Sequence, residues 1–291
     1  MKVAVIAHSG KSLGGGLDEL RRALADEGVA DPFWREVRKS RKAPAEIAKA
    51  LKRGVELVVV WGGDGMVQRC VDALAGCDVA LAIIPAGTAN LLATDLGVPK
   101  SIDAAVRTAL HGDRRRLDLG RFRGERFAVM AGVGFDAAMI RDAGGGVKQR
   151  FGRAAYIWSG SRHLRAKPFR ATIEANGAPW YKGKATLILI GNVGRLIGGV
   201  PVFDGASPDD GELDLGVVTA DGAVEWARML ARAAFGKAAG SPFVQTTRAT
   251  TIKVELSRKV LYELDGGDRK RVKSFKAAVE PGAIEVCVPR S

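Results

Sequence analysis

The apolar run Leu57-Val58-Val59-Val60-Trp61 ends in Gly62-Gly63-Asp64-Gly65, three glycines around one carboxylate, where a strand-like pattern gives way to a helical one. Glycines in a strand-to-helix turn let backbone N–H groups approach an anion, and the helix start adds positive potential. A carboxylate there would repel phosphate, so Asp64 implies a metal ion between itself and the anion; its other reading is a cap on the next helix. Pro85-Ala86-Gly87-Thr88-Ala89-Asn90 repeats the arrangement, with Gly87 for close approach and Thr88 and Asn90 offering a hydroxyl and an amide. Ser9-Gly10-Lys11 forms a third turn after a strand. Such turns at neighbouring strand ends favour a phosphate-binding cleft over independent caps.

Two acidic stretches follow downstream. Asp204, Asp209, Asp210, Glu212 and Asp214 place five carboxylates in eleven positions around Gly205 and Gly211. They repel one another unless a cation or basic neighbours compensate, and oxygen-rich turns suit Mg²⁺ or Ca²⁺; a solvated acidic hairpin loop is the plain alternative. Tyr262-Glu263-Leu264-Asp265-Gly266-Gly267-Asp268 runs from an apolar strand into an acidic turn, and Asp-Gly is also the commonest hairpin signal.

The elements that must hold these turns are legible from periodicity. Strands are predicted over Val3 to Ala7, Phe33 to Val37, Leu57 to Trp61 and Val79 to Pro85. Helices are predicted over Leu17 to Glu27, Ala45 to Arg53, Met66 to Ala75, Asn90 to Leu96 and Ile102 to His111. That alternation means βαβ units, a mostly parallel sheet, and ligands beyond the carboxyl ends of the strands. From about Arg114 strand-like runs dominate: Arg116 to Leu119, Arg126 to Val133, Arg170 to Ala175, Thr186 to Asn192, Leu213 to Thr219, Thr251 to Leu256, Lys259 to Leu264 and Ala283 to Val288. With helices only over Arg153 to Leu164 and Val224 to Phe235, this half reads as an antiparallel sandwich or barrel, and Gly144-Gly145-Gly146 as a connector.

The chain of 291 residues carries 45 Lys plus Arg against 32 Asp plus Glu, a formal charge of +13. That charge points to an anionic partner, with a solvated basic surface as the alternative. Aromatics make up only 6% and no nucleic-acid reading motif is present, so an acidic bilayer or a phosphorylated ligand fits better than nucleic acid. Basic segments at Arg38-Lys39-Ser40-Arg41-Lys42, along the 224–235 helix, and at Arg150, Arg153, Arg162, Arg165, Lys167 and Arg170 beside Tyr156 and Trp158 are candidates for a membrane face; solvated or packed surfaces are the alternatives. Cys70, Cys77 and Cys287 lack metal-site spacing and suit a reducing cytoplasm. No signal peptide or spanning run is apparent, which leaves peripheral attachment at the inner membrane surface.

Gly62-Gly63-Asp64-Gly65, Gly87-Thr88-Ala89-Asn90, Asp209-Asp210-Gly211-Glu212-Leu213-Asp214 and Asp265-Gly266 occur in the order and spacing of the diacylglycerol kinase catalytic family. The chain resembles its bacterial lipid kinases, and more distantly the sphingosine and ceramide kinases, over essentially its whole length. The resemblance implies an α/β plus all-β protein: a three-layer domain like that of NAD kinases and phosphofructokinases over residues 1–113, then a β-sandwich-like lipid domain over 114–291. It leaves open a return of the last residues to the first domain. By that likeness the protein is an ATP- and Mg²⁺-dependent kinase of a lipid hydroxyl, with ATP between the domains and Gly62, Gly63, Gly65, Gly87, Thr88 and Asn90 around its phosphates, beside Ser9, Gly10 and Lys11. Asp64 would position nucleotide and catalytic Mg²⁺, Asp265 would be the base, and a structural Mg²⁺ would rest on Asp210 and the carbonyls of Ser207 and Glu212. The chain departs from the pattern at Ala7-His8, Met66, Arg69 and Leu91, and at Gly267, where relatives carry Glu and only Asp268 stands near. A nucleotide- or lipid-binding homologue without turnover is the main alternative. NAD kinase is the second, though the Asn-Glu pair expected of it is absent. The expected partners are nucleotide and lipid at an anionic surface, with a homodimer left open.

Overall fold

The structure is a computed structural model describing residues 1–134, 167–194, 202–203, 205–234 and 241–290. The glycine loop at 144–146, the helix expected over 153–164, Asp204, Phe235, Tyr156, Trp158 and the basic residues Arg150, Arg153, Arg162 and Arg165 lie outside the described residues. The chain divides into one unit of Met1–Asp118 with Gly282–Ser291, and another of Leu119–Pro281.

In the first unit, the apolar runs form β1 (Val3–His8), β2 (Phe33–Val37), β3 (Leu57–Gly62) and β4 (Ala80–Pro85). They pair in the order β2-β1-β3-β4, all parallel. Every residue of β3 and β4 is buried, as a sheet covered on both faces requires. The covering helices are α1 (Gly16–Asp26), α2 (Ala43–Leu51), α3 (Asp64–Leu74), the short α4 (Leu91–Asp95) and α5 (Ile102–His111). α1 packs with α5, and α2 with α3. The chain winds outward from β1 to β2, then back past β1 to β3 and on to β4; right-handed crossovers therefore place α1 on one face and α2 and α3 on the other. The winding reverses between β1 and β3, so the crevice outside their carboxyl ends is the switch point where ligands bind in such sheets. The end of β14 (Gly267–Val288) adds a strand parallel to β4 through Val286 and Leu81.

The second unit is a β-sandwich. Its strands are the end of β5 (Asp113–Phe122), β6 (Glu125–Phe127), β7 (Met130–Val133), β8 (Phe169–Ala175), β9 (Ala178–Ala185), β10 (Leu187–Gly191), β11 (Leu213–Val218), β12 (Val244–Ala249), β13 (Thr251–Leu264) and the first part of β14. β12, β11, β10, β7 and β13 pair antiparallel in that order. β13 meets β7 through its last three residues and β8 through Ile252 to Leu256, which lets one strand serve both layers. The ring of Phe122 stacks on Tyr262 at 4.7 Å and meets Phe275 at 4.4 Å in the core. α6 (Ala223–Ala234) buries Trp226 and Met229, so the helix offered above as a membrane contact packs against protein through that side.

Several expectations need correction. The run Arg126 to Val133 is two strands, broken at Ala128 and Val129. Thr251 to Leu256 and Lys259 to Leu264 form one strand with a register shift between them. Ala283 to Val288 is the end of a 22-residue strand.

Candidate functional site

Three turns leave the carboxyl ends of adjacent parallel strands in the first unit. Ser9-Gly10-Lys11 follows β1 and is exposed; Ser9 N–H donates to the Val37 carbonyl at 3.0 Å, and the Lys11 carbonyl accepts from the Trp61 indole at 3.2 Å. Gly62 ends β3, Gly63 is the N-cap of α3, and Asp64 opens that helix. A Cβ on Gly62 would lie 2.6 Å from the Cβ of buried Met66, so the helix packs directly against the first glycine and leaves no room for a side chain there. Gly65 and Thr88 are exposed at the same end of the sheet.

The turns after β3 and β4 are locked together. A Cβ on Gly87 would stand 2.4 Å from the Cα of Gly63, so neither position admits a side chain without moving backbone. The Asp64 carboxylate accepts N–H groups of Asn90, at 3.0 Å, and of Leu91, and so serves the start of α4. Asn90 sits at φ 49°, where asparagine is tolerated better than most residues. Its Oδ1 accepts Gly87 N–H at 2.9 Å, while its Nδ2 donates to the carbonyls of Pro85 and Gly87, each at 2.9 Å. Expected as a phosphate contact, the Asn90 side chain is thus turned inward and shapes the turn.

In the second unit Asp265 and Gly266 form a two-residue hairpin turn, at φ 46° and 76°, between β13 and β14. Asp265 is 3% exposed. Its Oδ2 accepts Ala128 N–H and its Oδ1 accepts those of Val129 and Met130, all at 2.9 Å. These donors compensate for burying the charge. The carboxylate expected to act as base therefore fastens the break between β6 and β7. Asp268, the other expected acid, is exposed on β14.

Glu263 escaped assignment because it reads as an ordinary strand residue. It is 3% exposed, and its Oε2 accepts Gly266 N–H at 2.7 Å. Burial pushes its carboxyl up to about 8; the Gly266 N–H opposes this, Asp265 and Asp268 add to it, and Arg269 opposes. Buried Asn192 also holds the β6–β7 break, donating to the Ala128 carbonyl at 3.0 Å.

The acidic loop is occupied differently from the expectation. Asp210 Oδ2 meets the Arg248 guanidinium and Oδ1 accepts Glu212 N–H at 3.0 Å. Ser207 Oγ donates to Asp209 at 2.6 Å. Arg248 also lies 3.4 Å from Glu212 and 3.6 Å from Asp214. Among the described residues no group of three or more His, Cys, Asp or Glu side chains is arranged to hold a metal. A Mg²⁺ on Asp210 would have to displace a guanidinium, so the set Ser207, Asp210 and Glu212 does not fit the structural metal assigned to it. Asp214 is pushed up to about 6 by burial, against the pull of Arg248 and with the push of Asp210 and Glu212.

Comparison with known proteins gives matches over nearly the whole chain. Residues 2–122 match a family model described as the diacylglycerol kinase catalytic domain, and residues 128–288 match the YegS C-terminal NAD kinase beta sandwich-like domain. A Mycobacterium tuberculosis (strain ATCC 25618 / H37Rv) protein named diacylglycerol kinase is 31% identical over 253 residues, 84% of this chain and 80% of its own length. The crystal structure of a diacylglycerol kinase from Bacillus anthracis str. Sterne superimposes with a TM-score of 0.72 at 21% identity, covering 99% of this chain and 96% of that one. An Archaeoglobus fulgidus NAD kinase, solved in complex with ATP, shares the fold at a TM-score of 0.53 and 11% identity, covering 99% of this chain and 93% of that one.

Proposed function

The chain belongs to the diacylglycerol kinase family of lipid kinases, and on that premise we propose that it transfers the γ-phosphoryl group of ATP to a hydroxyl of diacylglycerol or a related lipid. The observation that carries this reading is the interlocked pair of glycine turns at the switch point of the first unit, with Gly63 and Gly87 in backbone contact and Asp64 bonded to the next turn. Backbone N–H groups of Gly63, Gly65 and Thr88 are proposed to hold the phosphates, beside the Ser9-Gly10-Lys11 turn, which offers the Ser9 hydroxyl and the Lys11 ammonium. Asp64 is proposed to take a catalytic Mg²⁺ on its carboxylate, which the Asn90 and Leu91 N–H groups hold in place. Mg²⁺ bound there would supply positive charge against the negative charge that develops during transfer.

On the second unit we assign Asp265 to positioning and Asp268 to the acceptor. Asp265 spends its oxygens on Ala128, Val129 and Met130, which fixes the wall beside the turn. Asp268 is the exposed carboxylate two positions beyond that turn, able to orient a lipid hydroxyl and take its proton.

We place the lipid at an anionic membrane surface. No helix among the described residues is long and apolar enough to cross a membrane. Arg38, Lys39, Arg41 and Lys42 are exposed after β2, at the end of the sheet that bears the turns. On the β13–β14 ribbon Leu261 pairs with Arg271, and strand alternation puts Lys259 and Lys273 on the same exposed face. Incubation with labelled ATP, Mg²⁺ and a panel of lipid micelles, followed by separation of the products, tests the reading.

A further inference from the structure

The acidic loop holds a cation of its own. Arg248 lies on β12 directly across from Asp214 on β11, so backbone pairing delivers its guanidinium to the loop. Three nitrogens of the fork each face a different carboxylate: Nη2 meets Asp210, Nη1 lies 3.4 Å from Glu212, and Nε lies 3.6 Å from Asp214. The second oxygen of Asp210 is taken by Glu212 N–H, at the turn that Gly211 makes at φ 78°.

A divalent cation on the expected set, Asp210 with the carbonyls of Ser207 and Glu212, needs the Asp210 carboxylate as a bare ligand, and that is the carboxylate that Arg248 meets. A guanidinium already in place blocks the approach by occupancy and by like charge. We propose that Arg248 is the permanent counter-ion of the 207–214 loop, and that this loop therefore holds its shape without the divalent cation that the family resemblance assigned to it. Arginine stays protonated over the whole working pH range and no chelator removes it. The loop then depends on a pairing between β11 and β12 rather than on metal supply.

The test uses the full chain without nucleotide or lipid, so its outcome is independent of whether the kinase reading holds. Thermal unfolding is followed in EDTA and in excess MgCl₂, and Mn²⁺ binding is counted by its paramagnetic resonance signal. The wild type is expected to melt at the same temperature in both buffers and to bind no Mn²⁺ that Asp210→Asn abolishes. Arg248→Ala is expected to melt lower in EDTA, to recover in MgCl₂, and to gain a Mn²⁺ site at least roughly tenfold tighter than any Asp210-dependent site in the wild type. Should Arg248→Ala not fold, Arg248→Lys, which keeps one charge but loses the fork, is expected to show a smaller loss in EDTA with partial recovery in MgCl₂. A wild type that EDTA destabilises while Asp210→Asn is unaffected by it, or that binds one Mn²⁺ lost in Asp210→Asn, overturns the proposal. So does an Arg248 variant that folds and gains neither Mn²⁺ nor Mg²⁺ dependence.

Discussion

The backbone N–H of Asn90 donates to Oδ2 of Asp64 at 3.0 Å, joining the glycine turn after β3 to the turn after β4. One carboxylate thereby sets the spacing of two strand-to-helix turns, and the side chain of Asn90 sets the shape of the second. Both residues sit among the glycines proposed to bind phosphate, and what they do in the structure is hold the backbone of the two turns together.

Asn90→Gly tests that clamp, because glycine accepts the positive φ while removing three side-chain hydrogen bonds. The expected cost is about 1–3 kcal/mol of unfolding free energy, from partners left unsatisfied. ATP affinity, measured by calorimetry, should fall at least about tenfold, the equivalent of some 1.4 kcal/mol. Thr88→Ala, at an exposed position, should leave stability unchanged.

Gly87→Ala places a Cβ 2.4 Å from Gly63 and 2.5 Å from Asn90 Oδ1, so the two turns must part. Overpacking of this kind costs about 1–3 kcal/mol, and urea denaturation should report it along with weakened ATP binding.

Asp265 and Asp268 separate by stability. Asp265→Asn turns one acceptor into a donor facing the N–H groups of Ala128, Val129 and Met130, and should lower stability by about 1–3 kcal/mol together with activity. Asp268→Asn is expected to leave the unfolding midpoint in place and lower kcat by about 10²-fold or more, the contribution usual for a positioned base. A kcat unaffected by Asp268→Asn removes that residue from the acceptor role.

Glu263 gives the fold a pH dependence of known sign. Its folded value of about 8 lies above the 4.5 of an unperturbed glutamate, so the neutral acid is the form the fold prefers. The stability it contributes is full below about 4.5 and is lost as pH rises through about 8. Glu263→Gln keeps an acceptor for Gly266 N–H and cannot ionise. Denaturation at pH 5, 7 and 9 should find the variant gaining on the wild type as pH rises, with no such trend if Glu263 is ionised throughout.

The first unit was legible because buried parallel strands are continuous apolar runs: Leu57 to Trp61 could hardly be anything else. β9 and β12 were not. Val244-Gln245-Thr246-Thr247-Arg248-Ala249 is mostly polar and half-exposed, and only pairing with β11 makes it a strand. The first part of β14 carries five basic residues between Arg269 and Lys276, which hide its alternation. The glycine turns announced themselves through composition. The inward rotation of Asn90, the N–H cradle on Asp265 and the reach of Arg248 to Asp210 did not, because each depends on a partner that only tertiary pairing supplies.

The β13–β14 ribbon offers a test of membrane attachment. Each basic side chain near an anionic surface contributes about 1 kcal/mol, so reversing Lys259, Arg271 and Lys273 to Glu together should weaken binding to phosphatidylglycerol vesicles by on the order of a hundredfold or more. High salt should release the wild type in the same sedimentation assay. Equal binding of the triple variant rules out this face.

The central claim is phosphoryl transfer to a lipid, and the direct measurement is the fate of labelled γ-phosphate. Folded protein is incubated with labelled ATP, Mg²⁺ and micelles of diacylglycerol, monoacylglycerol, sphingosine or ceramide, and the lipid products are separated and counted. The account predicts label in at least one lipid phosphate, lost without Mg²⁺ and in Asp64→Asn. Calorimetric binding of ATP with no label in any lipid, from protein shown to be folded, contradicts it and leaves a nucleotide-binding homologue without turnover.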